Sequence, residues 1–281
     1  MTISNLRLNG KSYRYSFYKN LNTNQTVIYL TGALQDIESV HKYSSAFAKD
    51  LNCITVELPG TGKTEVVDST SSIYDQALML LDFIREFNLQ DVHLIAFSYA
   101  TAVAVEFCKM YSNVRSLSIC CGVPGIPASG RRATQEILSI AMQRDRNPLD
   151  FAKKFCSSLT VQSDDIPRSS SIIRATEREI AKMDAFRIDA FVENTIRLYT
   201  HKSSNLSDIT IPVLVLIGDS DPYVTPNEAR EFASEFKNSH FVTLANADHM
   251  IHLQHSDKVI DIMITLSSSS VHIEQKLSAI K

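Results

Sequence analysis

The sequence predicts an α/β fold in which a mostly parallel β-sheet carries helices on both faces and is interrupted by one helical insertion. Short apolar runs alternate with longer amphipathic segments, an order typical of a parallel sheet that is covered on both sides. The alternation breaks once, between residues 128 and 211, where no strand-like run occurs. Because parallel strands end at the same edge of a sheet, we expect the functional site at that edge.

The individual elements follow from the period of the apolar residues. Strand-like runs are SYRYSFY, TVIYL, CITVEL, VHLIAF, RSLSICC, PVLVLIG and HFVTLA, at residues 12–18, 26–30, 53–58, 92–97, 115–121, 212–218 and 240–245. Helical periodicity predicts helices at 36–50, 73–88, 99–111, 226–237 and 254–266.

The interruption is interpreted as a helical insertion at about 126–208 within one core formed by residues 1–125 and 209–281. The alternative, a separate domain that begins near residue 126, is less favoured because the remaining strands are too few for a second sheet. After the serine run at 267–270, the tail VHIEQKLSAIK is expected to be a loosely attached end.

Composition indicates a globular protein and excludes several partners. The chain has 281 residues, 44% hydrophobic and 21% charged, enough apolar surface for a large core. With 28 basic and 31 acidic side chains the formal net charge is -3, so no cationic field attracts nucleic acid or an anionic membrane. A small-molecule substrate is expected instead.

The cysteines and the N-terminal segment bear on cofactors and location. Five cysteines show no spacing typical of a metal site, so neither a metal nor another cofactor is predicted. Unpaired cysteines in apolar runs favour a reducing compartment. The N-terminal segment lacks a signal-peptide core, and no apolar stretch reaches the roughly 20 residues that cross a bilayer. The expected location is the cytoplasm.

The motif PGTGKT at 59–64 is similar to the end of a phosphate-binding P-loop. The full pattern requires glycine at position 57, where this chain has Glu57. A carboxylate there repels phosphate, and EVVDSTSS follows the motif where a P-loop leads directly into a helix. The sequence therefore argues against nucleotide binding and predicts a tight turn.

Ser98 lies where the run VHLIAF meets the helical segment YATAVAVEF. A serine at such a corner is raised above the sheet edge, the arrangement of a nucleophile elbow. Ala96 and Ala100 flank it at positions where such elbows usually have glycine. The alternative role of Ser98 is that of a helix N-cap.

Two further candidates lie just beyond strand-like runs. Asp221 follows PVLVLIG and His249 follows HFVTLA, which predicts a nucleophile, a base and an orienting acid at one sheet edge. Asp219 is the alternative acid, although we expect it to cap the turn. His252 lies further into the next helical segment and is a weaker candidate for the base.

On these residues the sequence resembles the α/β-hydrolase superfamily over nearly its whole length. VIYLTGALQD is similar to the family's turn after the third strand, with TGA at 31–33 in place of a His-Gly pair and an oxyanion-hole residue. ELPGTGKTE is similar to the family's D-x-x-G-x-G-x-S loop, with Glu57 in place of Asp. The resemblance implies a mostly parallel eight-stranded sheet, a helical cap at 126–208, and oxyanion donors on the backbone N–H groups of Ala33 and Tyr99.

The predicted activity is hydrolysis of a small acyl ester or thioester through an acyl-enzyme on Ser98. The stretch from VIYLTGA to ELPGTGKTE also resembles acyltransferases that join hydroxyacyl chains from acyl carrier protein or coenzyme A, so acyl transfer is an alternative. A carbon–carbon hydrolase, a lactonase or a haloperoxidase-like enzyme uses the same triad. An epoxide hydrolase or dehalogenase is disfavoured, because those relatives have Asp where Ser98 stands. A non-catalytic binding protein that uses the cap as a ligand clamp is the alternative from another class.

Apolar side chains near the predicted site are candidates for an acyl-binding pocket, with packing in the core as the alternative role. They are Leu34, Phe97, Phe186 and Phe191.

Overall fold

An eight-stranded sheet forms the centre of the computed structural model, which describes residues 2–143 and 145–267. Its strands are β1 (Ile3–Leu8), β2 (Lys11–Tyr18), β3 (Thr26–Leu30), β4 (Asn52–Glu57), β5 (Val92–Phe97), β6 (Val114–Cys120), β7 (Val213–Gly218) and β8 (Ser239–Leu244). They lie in the order β1-β2-β4-β3-β5-β6-β7-β8. The pairs β1–β2 and β2–β4 are antiparallel and the other pairs are parallel. The predicted mostly parallel, eight-stranded sheet is confirmed.

Strand β1 has no counterpart among the strand-like runs of the sequence analysis. It is an edge strand without a fully buried residue, so it lacks the apolar run by which the other strands were found. A two-residue turn joins it to β2, and both turn residues, Asn9 and Gly10, have positive φ (49° and 78°). Asn-Gly is a strong short-range hairpin signal because both residues adopt that conformation readily. This dipeptide is the signal that identifies β1.

The described residues form ten α-helices. They are α1 (His41–Phe47), α2 (Ile73–Glu86), α3 (Ala100–Met110), α4 (Arg131–Ala141), α5 (Pro148–Leu159), α6 (Ser169–Ala181), α7 (Ala185–Thr200), α8 (Pro226–Ser234), α9 (Ile251–Gln254) and α10 (Ser256–Met263). The predicted helix at 254–266 corresponds to α10, and the short helix α9 precedes it. His255 separates the two because its dihedral angles are non-helical (φ -130°, ψ 45°).

Capping residues in the local sequence account for the positions at which α2 and α8 begin. Ser72 and Asp75 form a capping box at the start of α2, and Thr225 and Glu228 form another at the start of α8. In each, the N-cap hydroxyl accepts the N–H of the third helical residue, whose carboxylate accepts the N-cap N–H. These contacts satisfy backbone donors that the first turn of a helix leaves unpaired.

Helices α4 to α7 and a short 3₁₀ helix (Leu206–Asp208) lie between β6 and β7, where the sequence predicts an insertion. Their apolar faces form a second core that includes Phe151, Ile188 and Phe191, to which Met250 from the end of the chain contributes. The boundaries of this insertion at 126 and 208 stay a prediction. Met250 lies just beyond β8 and packs against these helices. The insertion is therefore located above the edge at which the parallel strands end.

The P-loop-like segment is folded around the side chain of Glu57. This buried carboxylate accepts the N–H groups of Ile37 and Lys63 and pairs with Arg14 at 2.7 Å. Gly62 has a φ of 58°, and a Cβ on it would lie 2.1 Å from Glu57 Cδ. The carboxylate thus fills the space inside the loop, which leaves no room there for a phosphate.

A cluster around Glu106 connects α3 to the segment that follows α7. Lys109 Nζ and Ser203 Oγ donate to Glu106 at 2.8 and 3.1 Å, and His201 Nε2 lies 3.4 Å away. Burial acts to raise the pKa of Glu106, but the hydrogen bonds from His201, Lys109 and Ser203 outweigh it and lower the pKa to about 2. Glu106 is therefore ionised at neutral pH.

The cysteines are free thiols, and Cys53, Cys120, Cys121 and Cys156 are buried. Within residues 2–143 and 145–267, no helix combines the length and apolar character needed to span a bilayer. The predicted loose tail at 271–281 lies outside the described residues.

Candidate active site

Ser98 occupies a sharp corner between β5 and α3. Its φ is 45°, in the left-handed region that residues other than glycine rarely adopt, and its N–H donates to the Cys120 carbonyl at 2.9 Å. The chain has room for this corner because Gly122 packs against it: a Cβ on Gly122 would lie 2.8 Å from the Ser98 carbonyl oxygen. Strain held by the surrounding structure at one polar residue is typical of a functional site.

Ser98, His249 and Asp221 form one hydrogen-bonded chain. Ser98 Oγ lies 3.0 Å from His249 Nε2, and His249 Nδ1 lies 2.8 Å from Asp221 Oδ2. The other carboxylate oxygen of Asp221 accepts the N–H groups of Tyr223 and Val224, each at 2.9 Å. Asp221 and His249 are buried, whereas Ser98 is partly exposed. The three residues follow β7, β8 and β5, so the sheet edge brings them together.

Asp219 lies near this chain of hydrogen bonds and has a different set of contacts. Its carboxylate accepts the N–H groups of Asn246 and Ala247 at 3.1 and 3.2 Å and the Ser220 hydroxyl at 2.9 Å. It therefore ties the turn after β7 to the loop that carries His249. Of the two acids considered from the sequence, Asp221 is the one bonded to the imidazole.

The turn after β3 lies against the serine corner. A Cβ on Gly32 would be 3.5 Å from Ser98 Cβ, and the Gly32 N–H donates to Gln35 Oε1 at 2.8 Å. Ala33 and Tyr99 both line the same cavity as Ser98. In the described part of the chain, neither the Ala33 N–H nor the Tyr99 N–H donates to another protein group. Two unused backbone donors therefore lie beside Ser98.

A cavity of about 560 Å³ extends from Ser98 and His249 between the sheet edge and the helices above it. This size is typical of a small-molecule site. Of the four predicted pocket residues, Leu34, Phe97 and Phe191 line it. Apolar residues that the sequence analysis did not single out form much of the remaining wall: Val123, Ile126, Pro127, Ile137, Phe155, Leu159, Ile180, Met183, Leu198, Val224, Met250 and Leu253.

The prediction that Phe186 lines the pocket is wrong. Its side chain is 44% exposed and is not part of the cavity wall. Phe186 and Phe191 are five residues apart on α7, which places them about 140° apart around the helix axis. Since Phe191 faces the cavity, Phe186 faces away from it.

His252 is a neighbour of the site with a role unlike that of a base. Its Nε2 lies 3.2 Å from Gln35 Nε2, and its ring packs edge-on against Phe97. Burial and the nearby charge of His249 lower the pKa of His252 to about 4, so its ring is neutral at neutral pH. The neutral ring accepts a hydrogen bond from Gln35, whose carbonyl holds the Gly32 N–H.

Cys121 approaches the buried end of the hydrogen-bonded chain. Cys121, Asp221 and His249 each offer one ligand atom, and these three atoms lie within 4.8 Å of one another. Thiolate, carboxylate and imidazole groups are the types of ligand that zinc accepts. Burial raises the pKa of the Cys121 thiol well above its ordinary value, so the thiol stays protonated. His249 Nδ1 and Asp221 Oδ2 are already hydrogen-bonded to each other at 2.8 Å.

The sheet order, the strained serine corner and the order Ser98, Asp221, His249 along the chain define an α/β-hydrolase fold. The model of the Alpha/beta hydrolase family matches residues 32–262. The chain belongs to this family.

Solved structures of the same fold cover nearly the whole chain. An enol-lactonase from Burkholderia xenovorans LB400 is 14% identical with a TM-score of 0.81, and the match covers 95% of this chain and 100% of that one. MenH from S. aureus is 19% identical with a TM-score of 0.72, over 93% and 98% of the two chains. A thermophilic esterase from Thermogutta terrifontis is 17% identical with a TM-score of 0.71, over 100% and 99%. At these identities the similarity establishes the fold.

A shorter match links the chain to one curated protein. Over 53 residues it is 38% identical to an (R)-3-hydroxydecanoyl-ACP:CoA transacylase from Pseudomonas aeruginosa. The matched segment spans 19% of this chain and 18% of the transacylase.

Proposed function

We propose that the protein is a serine hydrolase that cleaves an acyl ester or thioester through an acyl-enzyme on Ser98. The observation that carries this proposal is the unbroken chain from Ser98 Oγ through His249 to Asp221, with two unused N–H donors beside the serine. Nucleophile, base and orienting acid at hydrogen-bond distance are the requirement of this chemistry.

In the first half of the reaction, Ser98 Oγ attacks the acyl carbonyl carbon while His249 Nε2 takes its proton. Asp221 accepts the Nδ1–H of the imidazole, which leaves Nε2 free to act as the base and stabilises the imidazolium. The carbonyl oxygen becomes an oxyanion and receives hydrogen bonds from the N–H groups of Ala33 and Tyr99. Each such donor lowers the barrier by about 3–4 kcal/mol.

The tetrahedral intermediate then breaks its bond to the leaving group, which takes the proton from His249. In the second half, a water molecule gives a proton to His249 and attacks the acyl carbon. The acid is released and Ser98 Oγ regains its proton. Atoms and charges balance with water as the only co-reactant.

The composition of the cavity wall supports the proposal of an apolar acyl group. Leu34, Phe97 and Phe191 lie in a wall formed mainly by aliphatic and aromatic side chains. Burying a chain of methylene groups against such a wall contributes roughly 0.8 kcal/mol per group. We therefore propose a substrate with an aliphatic acyl chain.

Acyl transfer is the second candidate, and the segment similar to the transacylase favours it. The first half-reaction is the same, and a hydroxyl or thiol replaces water in the second. The donor or acceptor would then be an acyl carrier protein or coenzyme A thioester.

A fluorophosphonate probe tests the role of Ser98. We expect a covalent adduct on the wild-type protein and none on Ser98→Ala. Ser256→Ala is the matched control, since Ser256 is another serine of the cavity wall and should leave labelling unchanged. Equal labelling of wild type and Ser98→Ala contradicts the proposal. An unlabelled wild type whose Tm rises with acyl ligands indicates the binding protein instead.

The second half-reaction distinguishes hydrolase from transferase. The protein is incubated with simple esters, acyl-coenzyme A and acyl carrier protein donors, and intact mass spectrometry identifies which donor leaves an acyl group on the protein. Adding a hydroxyacyl or thiol acceptor then decides the outcome. A hydrolase releases the free acid, whereas a transferase forms the acylated acceptor faster than the free acid.

A further inference from the structure

Polar side chains of helix α7 contact the turn that carries Ala33 and the hydroxyl of Tyr99. Asn194 follows Arg187 by 7 residues, and Arg197 follows it by 10. At 100° per residue, all three side chains lie within about 80° around the helix axis. We call these three residues the polar face of α7. Its two ends contact different parts of the site.

Arg187 contacts the turn that carries Ala33. One guanidinium nitrogen donates to the Leu34 carbonyl at 2.7 Å and another pairs with Asp36 at 2.8 Å. The side chains of Arg187 and Asp36 are only 12% and 9% exposed. Burial acts to raise the pKa of Asp36, but the Ser39 N–H and the charges of Arg187 and Lys63 lower it, so the ion pair is intact at neutral pH.

The backbone of this turn requires external support. Leu34 has a φ of 60°, a conformation that costs a residue other than glycine about 1–3 kcal/mol. Arg187 binds the carbonyl of that strained residue, next in sequence to Ala33. The contact with α7 thus lies one residue from Ala33, in a turn that the Gln35 side chain also holds.

The other end of the polar face holds Tyr99. The Tyr99 hydroxyl lies 2.9 Å from Asn194 Oδ1, and Arg197 Nη1 donates to it at 3.3 Å. The same hydroxyl lies 2.6 Å from Gln76 Oε1 of α2, so α7 shares this contact with the core. Asn194 Nδ2 donates to the Gly60 carbonyl at 2.7 Å. Arg197 is 1% exposed and also donates to the carbonyls of Val67, Asp68 and Ser71, which anchors α7 to the core beside α2.

We propose that α7 positions the oxyanion hole from both sides, with Arg187 holding the Ala33 turn and the pair Asn194–Arg197 holding Tyr99. The inference rests on the proposed function. These are positioning residues, because they act through the backbone N–H groups of Ala33 and Tyr99. Phe191 and Thr195 of the same helix line the cavity, so the helix that contacts the acyl chain also sets the donors.

Small displacements are enough for a measurable effect. The donors must lie about 2.7–3.1 Å from the oxyanion, and an error of about 1 Å costs on the order of 100-fold in rate. Loss of Arg187 should therefore lower kcat about 10- to 100-fold with KM within about twofold, since ground-state binding in the cavity is unchanged.

The test compares Arg187→Met with Arg146→Met. Arg146 is, like Arg187, a partly buried arginine, with a side chain 15% exposed. It donates to the carbonyl of Ala185 on α7 and to the carboxylate of Asp189, and it does not contact the Ala33 turn. Arg187→Met is expected to fold, because Asp36 keeps its contacts with Lys63 and the Ser39 N–H. Tyr99→Phe tests the other end, since it keeps the backbone N–H and removes the hydroxyl together with its contacts to Asn194, Arg197 and Gln76.

Each variant is assayed for kcat and KM on an aliphatic p-nitrophenyl ester and for inhibition by two ketones with the same alkyl chain. A trifluoromethyl ketone adds to Ser98 and forms an oxyanion, whereas the methyl ketone stays a neutral ligand. We expect Arg187→Met and Tyr99→Phe to bind the trifluoromethyl ketone at least about tenfold more weakly and the methyl ketone normally. Arg146→Met should match wild type in all four measurements.

Three outcomes overturn the inference. In the first, Arg187→Met and Tyr99→Phe retain wild-type kcat while the fluorophosphonate still labels Ser98. In the second, the variants bind both ketones more weakly by the same factor, which indicates a damaged cavity. In the third, Arg146→Met loses as much kcat as Arg187→Met. Failure of the proposed function is distinguishable, because in that case the wild-type protein itself is not labelled at Ser98.

Discussion

The substitution Asp221→Asn tests the proposed triad at the residue whose role the structure constrains most tightly. Asp221 Oδ1 accepts the N–H groups of Tyr223 and Val224, and an amide nitrogen cannot replace an acceptor there. The asparagine must therefore keep its oxygen at that place and direct its NH₂ group at His249 Nδ1, 2.8 Å away.

The imidazole then has to accept at Nδ1 and carry its proton on Nε2, the atom that faces Ser98 Oγ at 3.0 Å. In this tautomer His249 cannot take the serine proton. Loss of the correct tautomer in a triad costs about 10⁴-fold in kcat, equivalent to about 5 kcal/mol of barrier. Since the substitution is nearly isosteric, KM and Tm should change little.

The assay is kcat and KM on an activated ester, with Asp219→Asn as the matched control. Asp219 accepts the N–H groups of Asn246 and Ala247, so its replacement costs about 0.5–1.5 kcal/mol of stability and leaves kcat near the wild-type value. The reasoning is refuted if Asp221→Asn retains more than about a tenth of wild-type kcat. A loss in Asp219→Asn as large as in Asp221→Asn refutes it as well.

Three further tests concern the pocket, the charge cluster around Glu106 and the loop that contains Gly62. Phe191→Ala should raise KM for a long-chain ester about tenfold, whereas Phe186→Ala leaves it unchanged; equal KM values contradict the pocket. Glu106→Gln should lower the free energy of unfolding at pH 6. That difference should shrink as the pH falls from about 4.5 towards 2, because a lowered pKa stabilises only the ionised form; a pH-independent difference, measured by urea denaturation, contradicts this. Gly62→Ala should lower the free energy of unfolding by about 1–3 kcal/mol, since its Cβ would overlap Glu57, and an unchanged Tm would show that the loop adapts.

Much of the fold is predictable from local sequence. The parallel strands β3, β4, β5 and β7 are buried along their whole length and consist mainly of apolar residues, and the helices between the strands follow the helical period. The edge strand β1 is harder to find because it has no fully buried residue, although Asn9-Gly10 marks its hairpin.

Some features of the candidate site are likewise predictable from the sequence, and others are not. Ser98, Asp221 and His249 are identifiable because each follows a strand, and parallel strands end together. The Phe186 prediction fails because the sequence of a cap helix does not state which face turns toward the sheet. The contact between Arg187 and the Ala33 turn joins residues that are distant in the chain, so no local sequence pattern predicts it.

By itself, the sequence determined the alternation of strands and helices, the place of the insertion and the order of Ser98, Asp221 and His249. These depend on local periodicity and chain order, which neighbouring residues encode. Only the tertiary structure decided which acid bonds to His249, which aromatic ring faces the cavity and how α7 contacts Tyr99 and the turn that carries Ala33. Those features depend on how each helix is rotated and seated above the sheet edge, and that placement follows from packing across the whole molecule.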